Sequence, residues 1–493
     1  MDEAAMARAR RVVLFTAFLD ILGFGIIIPQ LGIFASNFGA TPQEATFLAS
    51  TYSAMGFIFT PIWGRLSDRI GRRPVLLISI FGTACSLLMF GLAHSLAMLF
   101  AARLIDGVTA GNISTAQAYL TDITKPQDRA KIFGMFGAIF GVGFAFGPMI
   151  GALISHIHGP WGGNLGLGVF AAALSFTNWA MAMRSLPETL SPAIRAENQK
   201  RHEETKSSWF NVSGFKKALA IPGLNAVIVI GFLATTAFAT MQGTYSLFVI
   251  TKFSRPLAQE MIRTEPAKAA LQAKTEIESG SVTKPVTASA EGGDAVDSGG
   301  ESAPYPPAMG GDFTLNQPIL YGLPWRRVEK LLVRPLAGRA VGGLFTVIGL
   351  LSLVVQGGLI RPLKKKMSEL HMVLAGTFIM AMGLAFIPFP TEFWGEYVAA
   401  ALLTLGNGLS TPVLSALVSQ LAPERDRGEI IGVYQSIGSL GRIIGPTTAG
   451  FFFQRISPGA PFWVGGLIML CSFALAFNLR GTVAEKMEPQ AAA

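Results

Sequence analysis

Four charged side chains stand inside stretches that are otherwise apolar: Asp20, Arg103, Asp106 and Arg442. An ionisable group at membrane depth is costly, so each is a functional candidate by default. Asp20 falls about 12 Å along its helix from the nearer end. A carboxyl there either exchanges protons or serves as a structural hydrogen-bonding acid. Arg103 and Asp106 lie one helical turn apart and can pair on one face. Such a pair either cancels its own charge or takes part in proton movement. Arg442 has no acid near it in its own run, so its partner is an acid elsewhere or an anionic substrate. The neutral Gln117, Gln242 and Asn407 either line a cavity or hydrogen-bond neighbouring helices.

The elements that hold these residues follow from composition. The chain is 51% hydrophobic and 14% charged, against about 25% charged in a soluble domain. Its apolar residues gather in runs of the length that crosses a bilayer as a helix. About twelve such runs are found: 12–34, 46–63, 74–94, 96–121, 131–155 and 164–184, then 219–251, 341–360, 371–389, 394–420, 428–454 and 461–480. The polar, basic stretch 185–217 divides them six and six, giving an N-terminal half over 1–184 and a C-terminal half over 218–484. Residues 253–338 form an insertion rich in Ala, Gly, Ser, Thr and Pro, a composition expected to stay disordered. Its end, Pro324–Leu336, is apolar and basic and suits a helix lying on the membrane surface. The fold expected is all-α and polytopic, with twelve helices in two pseudo-symmetric halves.

The net charge of +9 is placed by topology. Arg65–Arg73, Lys125–Lys131, the central loop and Arg361–Lys366 all fall on one side, and the opposite short loops carry Glu44, Glu392 and Glu396 instead. By the positive-inside rule both termini are cytoplasmic and the insertion is external. No nucleic-acid partner is then required. Outer segments free of glycosylation sequons suit a bacterial inner membrane. Cys85 and Cys471 form no spaced framework, so neither a disulfide scaffold nor a metal site is expected. No phosphate-binding loop, nucleophile elbow or zinc spacing occurs, so no cofactor or enzymatic activity is expected.

The halves are related. After a shift of 298 residues, Asp128-Arg129, Ile132, Gly134, Ile139, Gly143 and Gly147-Pro148 meet identical residues, eight identities in 21 positions. Parallel repeats of this kind place a substrate site near the midplane between the halves, exposed to each side by rocking.

Two motifs carry more than topology. In Gly64-Arg65-Leu66-Ser67-Asp68-Arg69-Ile70-Gly71-Arg72-Arg73, Gly64 permits close helix approach and Gly71 a tight turn. Asp68, an acid among arginines, needs a specific partner: a helix N-terminus or a guanidinium of the opposite half. In the fifth run, Gly134, Gly143, Gly147-Pro148 and Gly151 place small residues for close packing and a proline for a bend.

The first motif resembles the signature loop of the major facilitator superfamily, where it acts as a cytoplasmic latch between the halves. Gly64, Asp68, Arg69, Gly71, Arg72 and Arg73 match it, and Asp122 belongs with it. The fifth-run glycines resemble the antiporter signature of drug:proton exchangers in that superfamily. With Leu19-Asp20-Ile21-Leu22-Gly23-Phe24-Gly25 and Tyr119–Thr124, they are most similar to the tetracycline efflux branch. The resemblance implies Asp20 as a proton-coupling residue, joined by Arg103 of the helix-four pattern; Asp106, where the family usually has Gln, is a further candidate as the partner of Arg103. The departures are Gly32 where a second proline is common, Val75–His94 without an acid, and a second-half loop Gly357–Lys364 without the aspartate. The expected activity is proton-coupled efflux of small, partly apolar compounds by a monomer using alternating access. Two other readings stay open: an importer or facilitator of a small, possibly anionic metabolite, and a transporter-like receptor or scaffold acting through the insertion.

Overall fold

A computed structural model describes residues 3–124, 163–190, 212–254, 333–423 and 427–479, with scattered positions between 132 and 154 and at 256 and 258. Gly134, Asp128-Arg129, most of the 253–338 insertion and residues 191–211 of the central loop lie outside the described residues. Those described are helical, with no strand among them.

The first half contains α1 (Glu3–Ile27), α2 (Leu31–Asn37), α3 (Pro42–Ile70), α4 (Arg72–Gly91), α5 (Leu96–Val108), α6 (Asn112–Asp122) and α7 (Asn164–Ser185). The second contains α8 (Val212–Ala220), α9 (Leu224–Val249), α10 (Arg334–Val354), α11 (Ile360–Lys364), α12 (Glu369–Phe386), α13 (Gly395–Leu421), α14 (Arg427–Arg455) and α15 (Ala460–Asn478). Local chemistry sets several starts. Thr41 and Glu44 form a reciprocal capping box ahead of α3, with Pro42 in its first turn. Ser95 and Ser368 cap α5 and α12.

Among the described residues, nine helical stretches are long and apolar enough to cross a membrane. α3 and α14 have 29 residues each, about 43 Å, and carry more polar side chains. The fifth expected span is described only at scattered positions.

Two expected spans are broken. The run 12–34 turns at Ile28–Gln30, where Pro29 removes a backbone donor and a tight 3₁₀ turn joins α1 to α2. The run 96–121 is interrupted at 109–111, between α5 and α6. Freed carbonyls need partners inside a membrane, and α3 supplies them. Trp63 Nε1 donates to the Val108 carbonyl at 2.5 Å, and Thr60 Oγ1 donates to the Ala110 carbonyl at 3.4 Å. A Cβ on Gly111 would lie 2.6 Å from the Trp63 ring, so the approach requires glycine there.

The halves meet chiefly along α3 and α14. Ser50 Oγ donates to the Ile443 carbonyl at 3.0 Å, and Thr447 Oγ1 donates to Ser50 Oγ at 3.0 Å. Nearby, Gln30 Nε2 donates to the Gly338 carbonyl at 3.4 Å. These contacts lie at the end remote from the Gly64–Arg73 loop. Towards that loop, residues 51–66 of α3 and 434–440 of α14 are all partly or fully exposed. The molecule is therefore closed at one end and parted at the other.

Candidate functional site

Three of the four membrane charges, Asp20, Arg103 and Asp106, converge where α1, α3, α5 and α6 meet. Arg103 Nη1 donates to Asp106 Oδ2 at 2.8 Å, and both side chains are buried. The remaining guanidinium nitrogens, Nε and Nη2, are buried without a hydrogen-bond partner. Aromatic faces hold that end of the group. Arg103 Cζ is 4.8 Å from the Tyr52 ring centroid and 5.9 Å from that of Phe24. Asp20 is half-buried on α1, hydrogen-bonded to the Asn112 side chain at the start of α6 and within electrostatic reach of Asp106. Ser86 of α4 hydrogen-bonds Asp106. The break between α5 and α6 thus sets Asn112 opposite Asp20. Two carboxyls in one pocket, one ion-paired and one amide-bound, can hold a proton between them.

Beside this cluster lies a cavity between the halves. Phe24, Ile28, Leu31, Ala45, Ala49 and Ala239 give it apolar walls, and Tyr52, Ser53, Gln242 and Arg442 give it polar groups. Arg442 is exposed, and its Nη2 donates to Ser439 Oγ at 2.8 Å. Gln242 lines the space. Gln117 and Asn407 are not among the lining residues. The Asn407 side chain instead accepts from Thr411 Oγ1 at 2.8 Å, a bond within α13. A second pocket of about 280 Å³ lies at the closed end, lined by Phe248, Lys252, Pro388 and Trp463, and none of the expected site residues reaches it.

The fifth-run glycines pack on the helix that carries Asp20. A Cβ at Gly143 would lie 2.6 Å from Ile21 Cγ2, one at Gly147 2.7 Å from Gly25 Cα, and one at Gly151 2.7 Å from the Ile26 carbonyl. Pro148 Cδ also comes close to Gly25.

The signature loop is built around Arg72. Its Nη1 donates to Ser67 Oγ at 2.6 Å, Nη2 pairs with Asp68 Oδ1 at 2.6 Å and Nε with Asp122 Oδ2 at 3.1 Å. Asp68 is thus ion-paired to the first residue of α4, one turn along the same loop. Gly64 makes no close approach, since a Cβ there would meet nothing within 4 Å. Gly71 has φ 112°, a conformation open to glycine. Arg73 Nη2 donates to the Met183 carbonyl at 2.7 Å, and Arg69 is exposed.

Sequence reading missed Glu188. Its carboxylate accepts from the Arg72 and Arg73 backbone N–H at 3.0 and 3.2 Å, capping α4. Thr189 Oγ1 adds a bond to Asp122 at 3.2 Å. Glu396 was read as part of an outer loop. It is fully buried in the first turn of α13 and accepts from Tyr245 OH at 3.2 Å. In the second half the missing loop aspartate is replaced by Glu369, which takes Lys364 at 3.2 Å and Gln420 at 3.2 Å. Tyr52 and Asn112 were also missed. Neither carries charge, and only the folding of α3 and the helix break bring them to the acids.

Comparison with known proteins places this arrangement. The profile of the Major Facilitator Superfamily matches residues 13–259 and 305–493. The class B tetracycline resistance protein of Escherichia coli is 24% identical over 477 residues, 95% of each chain. The class H protein of Pasteurella multocida is 33% identical over 213 residues, 42% of this chain and 51% of that protein. Among solved structures, the human organic anion transporter MFSD10 superposes with a TM-score of 0.60 at 18% identity, covering 97% of this chain and 100% of that one. A transporter of the POT family, solved with a thioalcohol-conjugated peptide, gives 0.61 at 12% identity over 97% and 96%. The chain belongs to the major facilitator superfamily of membrane transporters.

Proposed function

We propose that this protein is a proton-coupled exporter of small, partly apolar compounds, working by alternating access in a bacterial inner membrane. The observation that carries the reading is the Asp20, Asn112, Asp106 and Arg103 cluster beside a largely apolar cavity between the halves. The basic loops put the parted end in the cytoplasm, so this is the inward-open state, ready to load substrate from inside. A proton taken at the Asp20–Asp106 cluster from outside and released inside would then drive efflux, with substrate and proton occupying the protein alternately. The tetracycline resistance proteins among its relatives support the export direction. The test is transport in proteoliposomes with and without an imposed pH gradient, tetracycline serving as one probe. Asp20→Asn is expected to abolish gradient-driven transport. Wild-type rates in that variant would sink the role of Asp20.

A second reading has its own observation. Arg442 stands exposed in the cavity with one hydroxyl partner and apolar walls around it, a setting that suits an amphipathic organic anion. The structural likeness to an organic anion transporter points the same way. Fluorescein, a fluorescent organic anion, is the second probe. Its transport, lost in Arg442→Gln, would favour this reading over export of neutral compounds.

A further inference from the structure

Of the two cavity-lining rings over the Arg103 guanidinium, Tyr52 lies nearer, at 4.8 Å against 5.9 Å for Phe24, and it lies within electrostatic reach of Asp20, Arg103, Asp106 and Arg442. Its ring packs against Phe24 of α1 with centroids 5.2 Å apart. Its backbone is held against α5, where a Cβ on Gly107 would lie 2.6 Å from the Tyr52 carbonyl oxygen. The Tyr52 backbone is therefore fixed while α3 and α5 stay packed, and the ring moves only by rotation about its own side-chain bonds.

The guanidinium beneath it is incompletely bound. One nitrogen pairs with Asp106, and the other two are buried without acceptors. A buried donor without a partner is costly, so such a group moves readily when another acceptor is offered. What keeps Arg103 on Asp106 is the aromatic cover rather than a second carboxylate. That same cover faces the cavity, so a molecule entering the cavity meets the Tyr52 ring.

We propose that Tyr52 is the positioning residue linking cavity and charge cluster. With the ring seated, Arg103 stays on Asp106 and Asp20 is left to Asn112, free to exchange a proton. With the ring displaced, the two unused nitrogens of Arg103 are released toward the other carboxyl of the cluster, and Asp20 no longer needs a proton. Occupancy of the cavity and protonation of Asp20 then oppose each other. This rests on the proton-coupling reading above. The hydroxyl is secondary and the ring essential, because cation–π contact needs only the aromatic face.

The test needs no substrate. Gly432 of α14 lies toward the parted end, and a Cβ there meets nothing within 4 Å. In full-length protein with Cys85→Ser and Cys471→Ser, Gly432→Cys is labelled with a maleimide across a pH series, the rate being normalised to the denatured protein. The parent is expected to show one pH midpoint, and Asp20→Asn none. Tyr52→Phe should keep the midpoint to within about 0.3 unit, and Tyr52→Leu should move it by about one unit or more. A variant that merely loosened the fold would change rates without moving a midpoint. A midpoint lost in Asp20→Asn yet unmoved in Tyr52→Leu overturns this proposal alone. A parent without a midpoint, or one that survives in Asp20→Asn, overturns the proton reading and this proposal with it.

Discussion

The hydroxyl of Ser50 donates to the backbone carbonyl of Ile443 at 3.0 Å, tying α3 of one half to α14 of the other. Two turns farther toward the closed end, a Cβ added to Gly450 would lie 2.9 Å from Gln43 Cα and against the Thr46 side chain. Only glycine lets the two helices close there.

Gly450→Leu should therefore wedge this end open and favour the opposite conformation. In protein lacking native cysteines, Ser53→Cys reports the cavity, which Ser53 lines. Labelling by an impermeant thiol reagent applied from the closed side should rise about tenfold, a shift of about 1.4 kcal/mol between the two states. Unchanged labelling would show that the α3–α14 contact does not set the closure.

Glu188 secures the signature loop from 115 residues away in sequence, through the Arg73 backbone. A carboxylate on the exposed amides of a helix start is worth about 1 kcal/mol. Glu188→Gln keeps the acceptor and loses the charge, and Glu188→Ala loses both. The melting temperature in detergent should fall in that order. High salt should narrow the gap between wild type and Glu188→Gln, because the group is only half-buried.

Asp106→Leu would leave Arg103 buried with only aromatic faces for company. Breaking a buried pair by removing one partner typically costs about 3–5 kcal/mol. Folded yield of the single variant should drop sharply. Replacing both partners, as Arg103→Met with Asp106→Leu, should restore yield. If the pair is structural alone, the double variant also transports. If it takes part in coupling, gradient-driven transport stays lost in a well-folded protein.

The sequence made some of this legible and hid the rest for physical reasons. Hydropathy marks where chain enters the bilayer, so α4, α7 and α12 fall close to their expected spans. The Gly71 turn was legible because its backbone conformation is local to one residue, whereas Arg72 also reaches Asp122, 50 residues away. The break at 109–111 was not, because the side chains that satisfy it, Trp63 and Thr60, come from α3. Glu188 was hidden in a polar stretch whose composition gives no sign that one carboxylate folds back on a distant helix start. Gln117 and Asn407 were read by polarity alone, and helix rotation decides which polar groups face the cavity.

Glu396 offers a test in the second half, remote from the Asp20 cluster. Its Oε2 accepts from Tyr245 OH at 3.2 Å, and its Oε1 is buried without a partner. Tyr245 is itself caged by Phe248, Phe345 and Phe462, with ring centroids 6.0 to 6.4 Å away. Lys252 lies within electrostatic reach of the carboxyl, but its ammonium is committed to the Pro388 carbonyl at 2.6 Å. Tyr245→Phe removes the donor and leaves the acid stranded, which should cost about 1–3 kcal/mol of stability. Adding Glu396→Leu to that variant removes the stranded group, so the double variant should recover most of the loss in thermal unfolding. A double variant no more stable than Tyr245→Phe would mean that Glu396 is held chiefly by Lys252. The acid would then tie the start of α13 to the segment just after α9 by charge rather than by the tyrosine hydroxyl.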